Sequence, residues 1–360
     1  MSISDSEPRD FRSRMIHLDA GQRRDAQANR ATVVAPFDAL GEAPVPYEAL
    51  FLAHYRAIRE LGRGVGAPGL AIVAVHVPSC RLAGRAWLAA RARGVRSAIV
   101  GRHSEADLFL EAPMLSLRHL VALVPPPPSW DAHAVRYEVL DLRTARALRD
   151  ERGRRLEGFE AEGPAFVACG PYALFFLQTG DATDWPELAT DAWAMLPERI
   201  HVREHPAEPD RWRRGAYGRR CPRAPAPGAD RTSLVTAVPP PLSAGERLVA
   251  SGEAPSGALH VESERGARTL PVGPRAIGRG VLLGRYDRCD ASDLLGHDHI
   301  SRAHLLVKRV GDAVVGIDTA STGGTFVGDA AHRARTVALD RGEEAVLGDG
   351  LARVRWVSAH

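Results

Sequence analysis

Residues 281–307 read VLLGRYDRCDASDLLGHDHISRAHLLV. A short apolar run ends in Gly284-Arg285. A polar loop carrying Asp293-Leu294 follows, and Ser301-x-x-His304 opens a second apolar run. Short apolar runs bounded by turn residues mark β-strands. The same order recurs at 98–124, AIVGRHSEADLFLEAPMLSLRHLVALV, with Gly101-Arg102, Asp107-Leu108 and Ser116-x-x-His119. Downstream, each copy has a run ending in a hydrophobic-Asp step, Leu140-Asp141 and Ile317-Asp318. A repeat of this kind predicts two related structural units.

Outward from the repeat, the pattern stays β-rich. LAIVAVHV (70–77), YEVLDL (137–142), PAFVAC (164–169) and YALFFL (172–177) surround the first copy. ALHVES, AVVGID, TVALD and ARVRWV surround the second. Tyr47 to Leu61 has apolar residues at helical spacing and predicts an amphipathic helix. RLAGRAWLAARARG (81–94) reads as a helical interruption. The expected fold class is mainly β, with two antiparallel β-sandwiches joined by a Pro/Arg-rich linker. The domains are placed at 1–67 (a polar segment with one helix), 68–180, 181–255 (a helix plus a flexible linker) and 256–360.

Composition bounds the function. The chain has 360 residues, 45% of them hydrophobic, and a net charge of +3. That suits two globular cores and gives no cationic excess for nucleic acid. The aromatic-basic stretch Arg211–Arg220 is read as solvated linker. Lys308 is the only lysine, read as a strand-surface residue, so lysine-dependent phosphate loops and Schiff-base chemistry are disfavoured. Cys80, Cys169, Cys221 and Cys289 form no C-x-x-C pair, and no apolar stretch is long enough to span a bilayer. A cytoplasmic protein without cofactor or metal is expected. Gly64-Val-Gly66-Ala-Pro-Gly69 opens a strand rather than a helix, so it is not a dinucleotide loop. His297, His299 and His304 near Asp290 and Asp298 resemble a zinc set by composition only.

The second copy resembles a forkhead-associated (FHA) domain. The matching pieces are Gly284-Arg285, Ser301-Arg302-Ala303-His304 and Asp318-Thr-Ala-Ser-Thr-Gly-Gly-Thr325. The resemblance covers 256–360 well and 68–180 through its first half. It implies a β-sandwich whose end loops bind a phosphothreonine in an extended peptide. The chemistry agrees, because a near-dianionic phosphate needs a guanidinium and short hydroxyl donors on rigid loops. Arg285, Ser301, Arg302 and Thr322 are the expected phosphopeptide residues. Gly284, His304 and Gly324 are expected to support the site.

Two departures matter. Gly323 stands where the family has asparagine, which predicts weakened peptide binding. The first copy keeps Arg102 and Ser116, carried here as a second, weaker site. Leu117 replaces Arg302, Ala145 replaces Thr322, and the loop arginines Arg118, Arg143 and Arg146 are read as solvated. Thr232 and Thr236, in the linker, are read as phosphoacceptors, with an unmodified spacer as the alternative.

The expected function is a non-catalytic phosphothreonine-peptide-binding adaptor in Ser/Thr kinase signalling. Its partner would be a kinase or a kinase substrate, not nucleic acid or membrane. The alternative is a phospho-independent scaffold using both sandwiches for docking.

Overall fold

A computed structural model describes residues 44–64, 67–91, 94–127, 135–180, 185–202, 232–329 and 332–359. The Arg211–Arg220 stretch, Cys221 and most of the polar N-terminal segment lie outside these residues. The N-terminal half contains α1 (Tyr47–Gly64), β1 (Gly69–His76), β2 (Arg81–Ala89), β3 (Arg96–Gly101), β4 (Leu108–Phe109), β5 (Leu120–Val124) and β6 (Tyr137–Asp141). It continues with β7 (Leu148–Arg149), β8 (Arg155–Leu156), β9 (Gly158–Ala161), β10 (Ala165–Cys169), β11 (Tyr172–Thr179), α2 (Ala189–Met195), β12 (Glu198–Val202) and β13 (Thr232–Ala237). The C-terminal half contains β14 (Gly257–Ser263), β15 (Gly266–Val272), α3 (Pro274–Arg279), β16 (Val281–Leu283), β17 (Leu305–Val310) and β18 (Ala313–Asp318). It ends with β19 (Thr325–Val327), β20 (Thr336–Ala338), β21 (Ala345–Leu347) and β22 (Ala352–Ser358).

Each half is a two-sheet sandwich, and strand pairing is mainly antiparallel. The first pairs the sheet β2-β1-β11-β10-β7-β8 with β12-β13-β9-β6-β5-β3-β4. Its core includes Leu70, Ile72, Leu120, Ala122, Tyr137, Phe159 and Phe176. The second pairs β15-β14-β22-β21-β19 with β16-β17-β18-β20. Its core includes Leu259, Val261, Leu283, Leu305, Val307, Leu347 and Val354.

The sandwiches also pack on each other. Ile99, Val121, Leu123 and Leu140 meet Leu282, Leu306, Val315 and Ile317 in one apolar seam. Helices α1 and α2 cover the far face of the first sandwich through Phe51, Tyr55 and Ala192 against Val73, Phe166 and Phe175. The N-terminal sheets are therefore covered on both faces, which explains the unbroken apolar runs of β1 and β5. In β5, Leu120, Ala122 and Val124 face the sandwich core, while Val121 and Leu123 face the seam.

Three sequence expectations need correction. Residues 81–89 form strand β2, not a helix. Gly84, Ala86 and Leu88 alternate inward, and pairing along β1 outweighs the helix propensity of Arg, Ala and Leu. The linker is not flexible throughout. Strand β13 pairs with β12 on one side and β9 on the other, so Thr232 and Thr236 sit within a sheet. Thr236 is half-buried, a poor substrate conformation for a kinase. Beyond it, Leu242 is fully buried and its N–H donates to the Gly280 carbonyl at 2.8 Å. Finally, Lys308 is buried. It lies on the seam face of β17 and pairs with Glu138 of β6 at 3.2 Å.

Candidate functional site

The two copies share a set of cross-loop hydrogen bonds. The amides of Arg285 and Tyr286 donate to the Ser301 and Arg302 carbonyls, each at 3.1 Å. Arg102 and His103 donate to the Ser116 and Leu117 carbonyls at 3.2 and 2.9 Å. This cross-loop approach leaves no room for a side chain on the preceding residue. A Cβ on Gly284 would meet the Arg302 carbonyl oxygen at 2.3 Å, and one on Gly101 the Leu117 carbonyl oxygen at 2.3 Å. The Ser301 amide donates to His304 Nδ1 at 3.1 Å, and the Ser116 amide to His119 Nδ1 at 3.2 Å. Asp318 accepts the Ser321 amide at 2.8 Å, and Asp141 the Thr144 amide at 2.6 Å. Ala320 and Arg143, one residue before each capped hydroxyl, both adopt positive φ, 61° and 60°.

In the C-terminal copy these contacts hold four loop segments together. His304 Nε2 donates to the Gly324 carbonyl at 3.0 Å, which ties the Ser301 loop to the Thr322 turn. Burial holds the His304 imidazole below its ordinary pKa, with Asp318 opposing. Both its ring nitrogens are engaged in bracing the loops. Gly324 sits at φ +78°, a left-handed conformation that suits glycine. Ser301 Oγ accepts the Thr322 amide at 3.0 Å. Arg285, Arg302 and Thr322 are exposed on the same loops. The nearest carboxylate to Arg285, Asp298, is 3.9 Å away and almost fully solvated, so the guanidinium stays available. Arg333, exposed, donates to the Thr322 carbonyl at 2.8 Å.

The N-terminal copy uses the same residues differently. Arg102 is 6% exposed, and its Nε donates to the Leu115 carbonyl at 2.9 Å. Burial, and secondarily the charge of Arg302, hold its pKa below the ordinary value. Arg143 donates to the Pro241 carbonyl and the Glu246 carboxylate. The open cleft beside it, about 440 Å³, includes Asp141, Glu157 and Asp287 in its lining. Burial pushes the Asp141 carboxyl up to about 7. Arg143, Arg155 and Arg288 line the same cleft, so acids and arginines are balanced there.

The family model for the FHA domain matches residues 277–348. The chain carries an FHA domain. The chain is similar over part of its length to several solved FHA structures. The FHA-1 domain of Mycobacterium tuberculosis Rv1747 is 29% identical over 30% of this chain and 100% of that one, with a TM-score of 0.23. An FHA domain from an analysis of phosphothreonine-dependent interactions is 16% identical over 30% and 95%, with a TM-score of 0.22. Mycobacterium tuberculosis EmbR, in complex with a low-affinity phosphopeptide, is 17% identical over 30% and 24%, with a TM-score of 0.21. A search of curated proteins found no match.

Against the FHA pattern, Gly323 now has a local reason. A Cβ there would lie 2.3 Å from the His299 carbonyl oxygen and 2.9 Å from Gly348 Cα. The chain has closed in on the position that asparagine would occupy. His297 and His299 are neighbours, with ring centroids 5.6 Å apart, and His299 faces Asp349 at 3.5 Å. Among the described residues, no group of three such side chains forms a metal site.

Sequence reasoning missed two residues that the fold brings to this FHA site, both from the N-terminal copy. Arg118 Nη2 donates to Ser301 Oγ at 3.1 Å, and its Nε and Nη2 donate to the Ala320 carbonyl at 3.1 and 2.7 Å. His103 Nε2 lies 3.4 Å from Thr322 Oγ1. Burial pushes Arg118 down to about 10, with Asp318 opposing and Arg302 adding to the fall. Burial, then the charge of Arg118, push His103 down to about 4, with Asp318 opposing. The only sequence signal was that Arg118 stands inside a Ser-x-x-His motif that otherwise packs inward.

Proposed function

We propose that this chain is a non-catalytic adaptor that binds phosphothreonine peptides through its C-terminal FHA domain, within cytoplasmic Ser/Thr kinase signalling. FHA domains are protein-interaction modules, and the FHA neighbours above include phosphothreonine-dependent binders. The observation that carries the reading is the convergence on one loop cluster of the exposed Arg285 and Thr322 with Ser301, which is buried between them. Arg285 supplies the fork for two phosphate oxygens. Ser301 and Thr322 supply short neutral donors, and the exposed Arg302 reads residues beside the phosphothreonine. The partner would be a phosphorylated kinase or kinase substrate. The N-terminal sandwich is read as a degenerate FHA-like copy whose Arg102 and Ser116 no longer form a working site.

A degenerate peptide pool with a fixed phosphothreonine tests this. Full-length protein should retain the phosphorylated pool over its unphosphorylated twin, and Arg285→Ala should weaken that retention by at least about tenfold. Equal retention of both pools would overturn the reading in favour of a phospho-independent scaffold.

A further inference from the structure

We infer that the phosphopeptide site is composite. The N-terminal sandwich supplies Arg118 across the seam, as a charged positioning residue for Ser301. This rests on the reading of Arg285 and Ser301 as phosphate ligands. The geometry is specific. A serine hydroxyl has two acceptor positions and one proton. Ser301 Oγ accepts the Thr322 amide at 3.0 Å and Arg118 Nη2 at 3.1 Å. Both acceptor positions are thereby used. Among the described residues nothing accepts the remaining proton, so it is held for an incoming oxygen.

Arg118 is built into this place. It is 8% exposed, and the Ala320 carbonyl takes both its Nε and Nη2. Among the described residues no carboxylate lies in ion-pair contact with it. Its guanidinium bonds only neutral acceptors, so its charge lies beside the hydroxyl without a direct ion-pair partner. Asp318 favours the charged state of Arg118, and Arg302, on the same loop as Ser301, disfavours it. A phosphate dianion at Ser301 would add to the favourable field of Asp318 and offset that of Arg302. Ser301 itself is buried, while Arg285, Arg302 and Thr322 remain exposed around it, so the approach to the loops stays open. The second sandwich thus acts on the same phosphopeptide that the FHA loops hold, not on one of its own.

The test uses the full-length chain and a fluorescein-labelled degenerate peptide pool with a fixed phosphothreonine, read by anisotropy. Arg118→Gln, which keeps a donor without the charge, should weaken binding by about tenfold, while Arg118→Lys should stay within about threefold of wild type. Arg335→Gln is the control. It removes a second cross-seam ion pair, to Asp107 at 3.1 Å, that lies apart from Ser301, and should leave affinity unchanged. Thermal midpoints are recorded for all variants. Equal losses in Gln and Lys, tracking their midpoints, would reduce Arg118 to a packing residue and overturn the inference. Unchanged or tighter binding in Arg118→Gln would overturn it too, and tighter binding would make the N-terminal copy a lid. In both cases a continued loss in Arg285→Ala leaves the phosphopeptide reading standing. A wild-type chain that ignores the phosphorylated pool would overturn that reading and this inference together.

Discussion

Two copies of one loop architecture sit in this chain, and they spend the same residue in opposite ways. Arg285 follows its glycine into solvent with its guanidinium available. Arg102 follows its glycine inward and bonds the Leu115 carbonyl. The backbone contacts that set both loops are nearly the same. One backbone scaffold thus carries its arginine in two directions, outward at Arg285 and inward at Arg102. Both copies of that scaffold also serve the seam. Ile99, Val121 and Leu140 there are register equivalents of Leu282, Leu306 and Ile317, so the two sheets meet through matching faces. This is the geometry of an isologous interface within one chain.

A buried ion pair breaks that symmetry within the seam. Lys308 meets Glu138, whereas the register equivalents of these residues are Leu123 and Val315. Both charged groups are buried, and burial raises the Glu138 pKa against the opposing charge of Lys308. Removing one partner strands the other in the seam. Lys308→Leu alone should cost about 3–5 kcal/mol of stability. The double variant Lys308→Leu/Glu138→Val, which copies the equivalent apolar positions, should recover most of it. Denaturant unfolding of the single and double variants checks this. A harmless single variant would mean that the seam opens to water at Lys308.

The second contrast concerns the two arginines themselves. Arg102→Ala should lower stability by about 2 kcal/mol, the order of a lost bond to a charged donor. Phosphopeptide affinity should stay nearly unchanged. Arg285→Ala should do the reverse, since its side chain braces nothing. Melting and anisotropy on the same two samples separate these outcomes. Equal binding losses would mean that the N-terminal copy still reads phosphate on its own account.

The repeat, the FHA domain and the positions of Arg285, Ser301, His304 and Asp318 were legible in the sequence, because each is set by contacts within one loop cluster. What the sequence withheld came from packing between distant segments. RLAGRAWLA looks helical by propensity and becomes a strand because β1 lies beside it. Lys308 looks like a surface residue until the other sandwich covers it. Arg118 looks like a solvated loop arginine, and nothing local says that Ser301 will be its neighbour. The absence of polar alternation in LAIVAVHV and HLVALV did mark faces covered on both sides. That signal was present but says nothing about what does the covering.

The smallest effect falls at the seam edge, where His103 faces Thr322 Oγ1, Arg118 and Asp318. Burial and the nearby guanidinium hold its pKa at about 4, against about 6.5 in an unfolded chain. Between those values the unfolded state binds the extra proton, so stability is full above pH 6.5 and falls as pH drops toward 4. The loss assigned to this one imidazole between pH 7.5 and 5.5 is about 1 kcal/mol. Other groups titrate across the same range, Asp141 with the opposite sign, so the wild-type curve mixes them. The difference between wild type and His103→Gln isolates one term. Glutamine keeps a donor toward Thr322 and carries no titrating proton, so the variant should be the less pH-sensitive of the two in acid. Parallel stability curves for the two proteins across pH 7.5 to 4.5 would mean that His103 takes its proton freely, and that the loops around Ser301 and Thr322 stand further from the N-terminal copy than the contact at 3.4 Å implies.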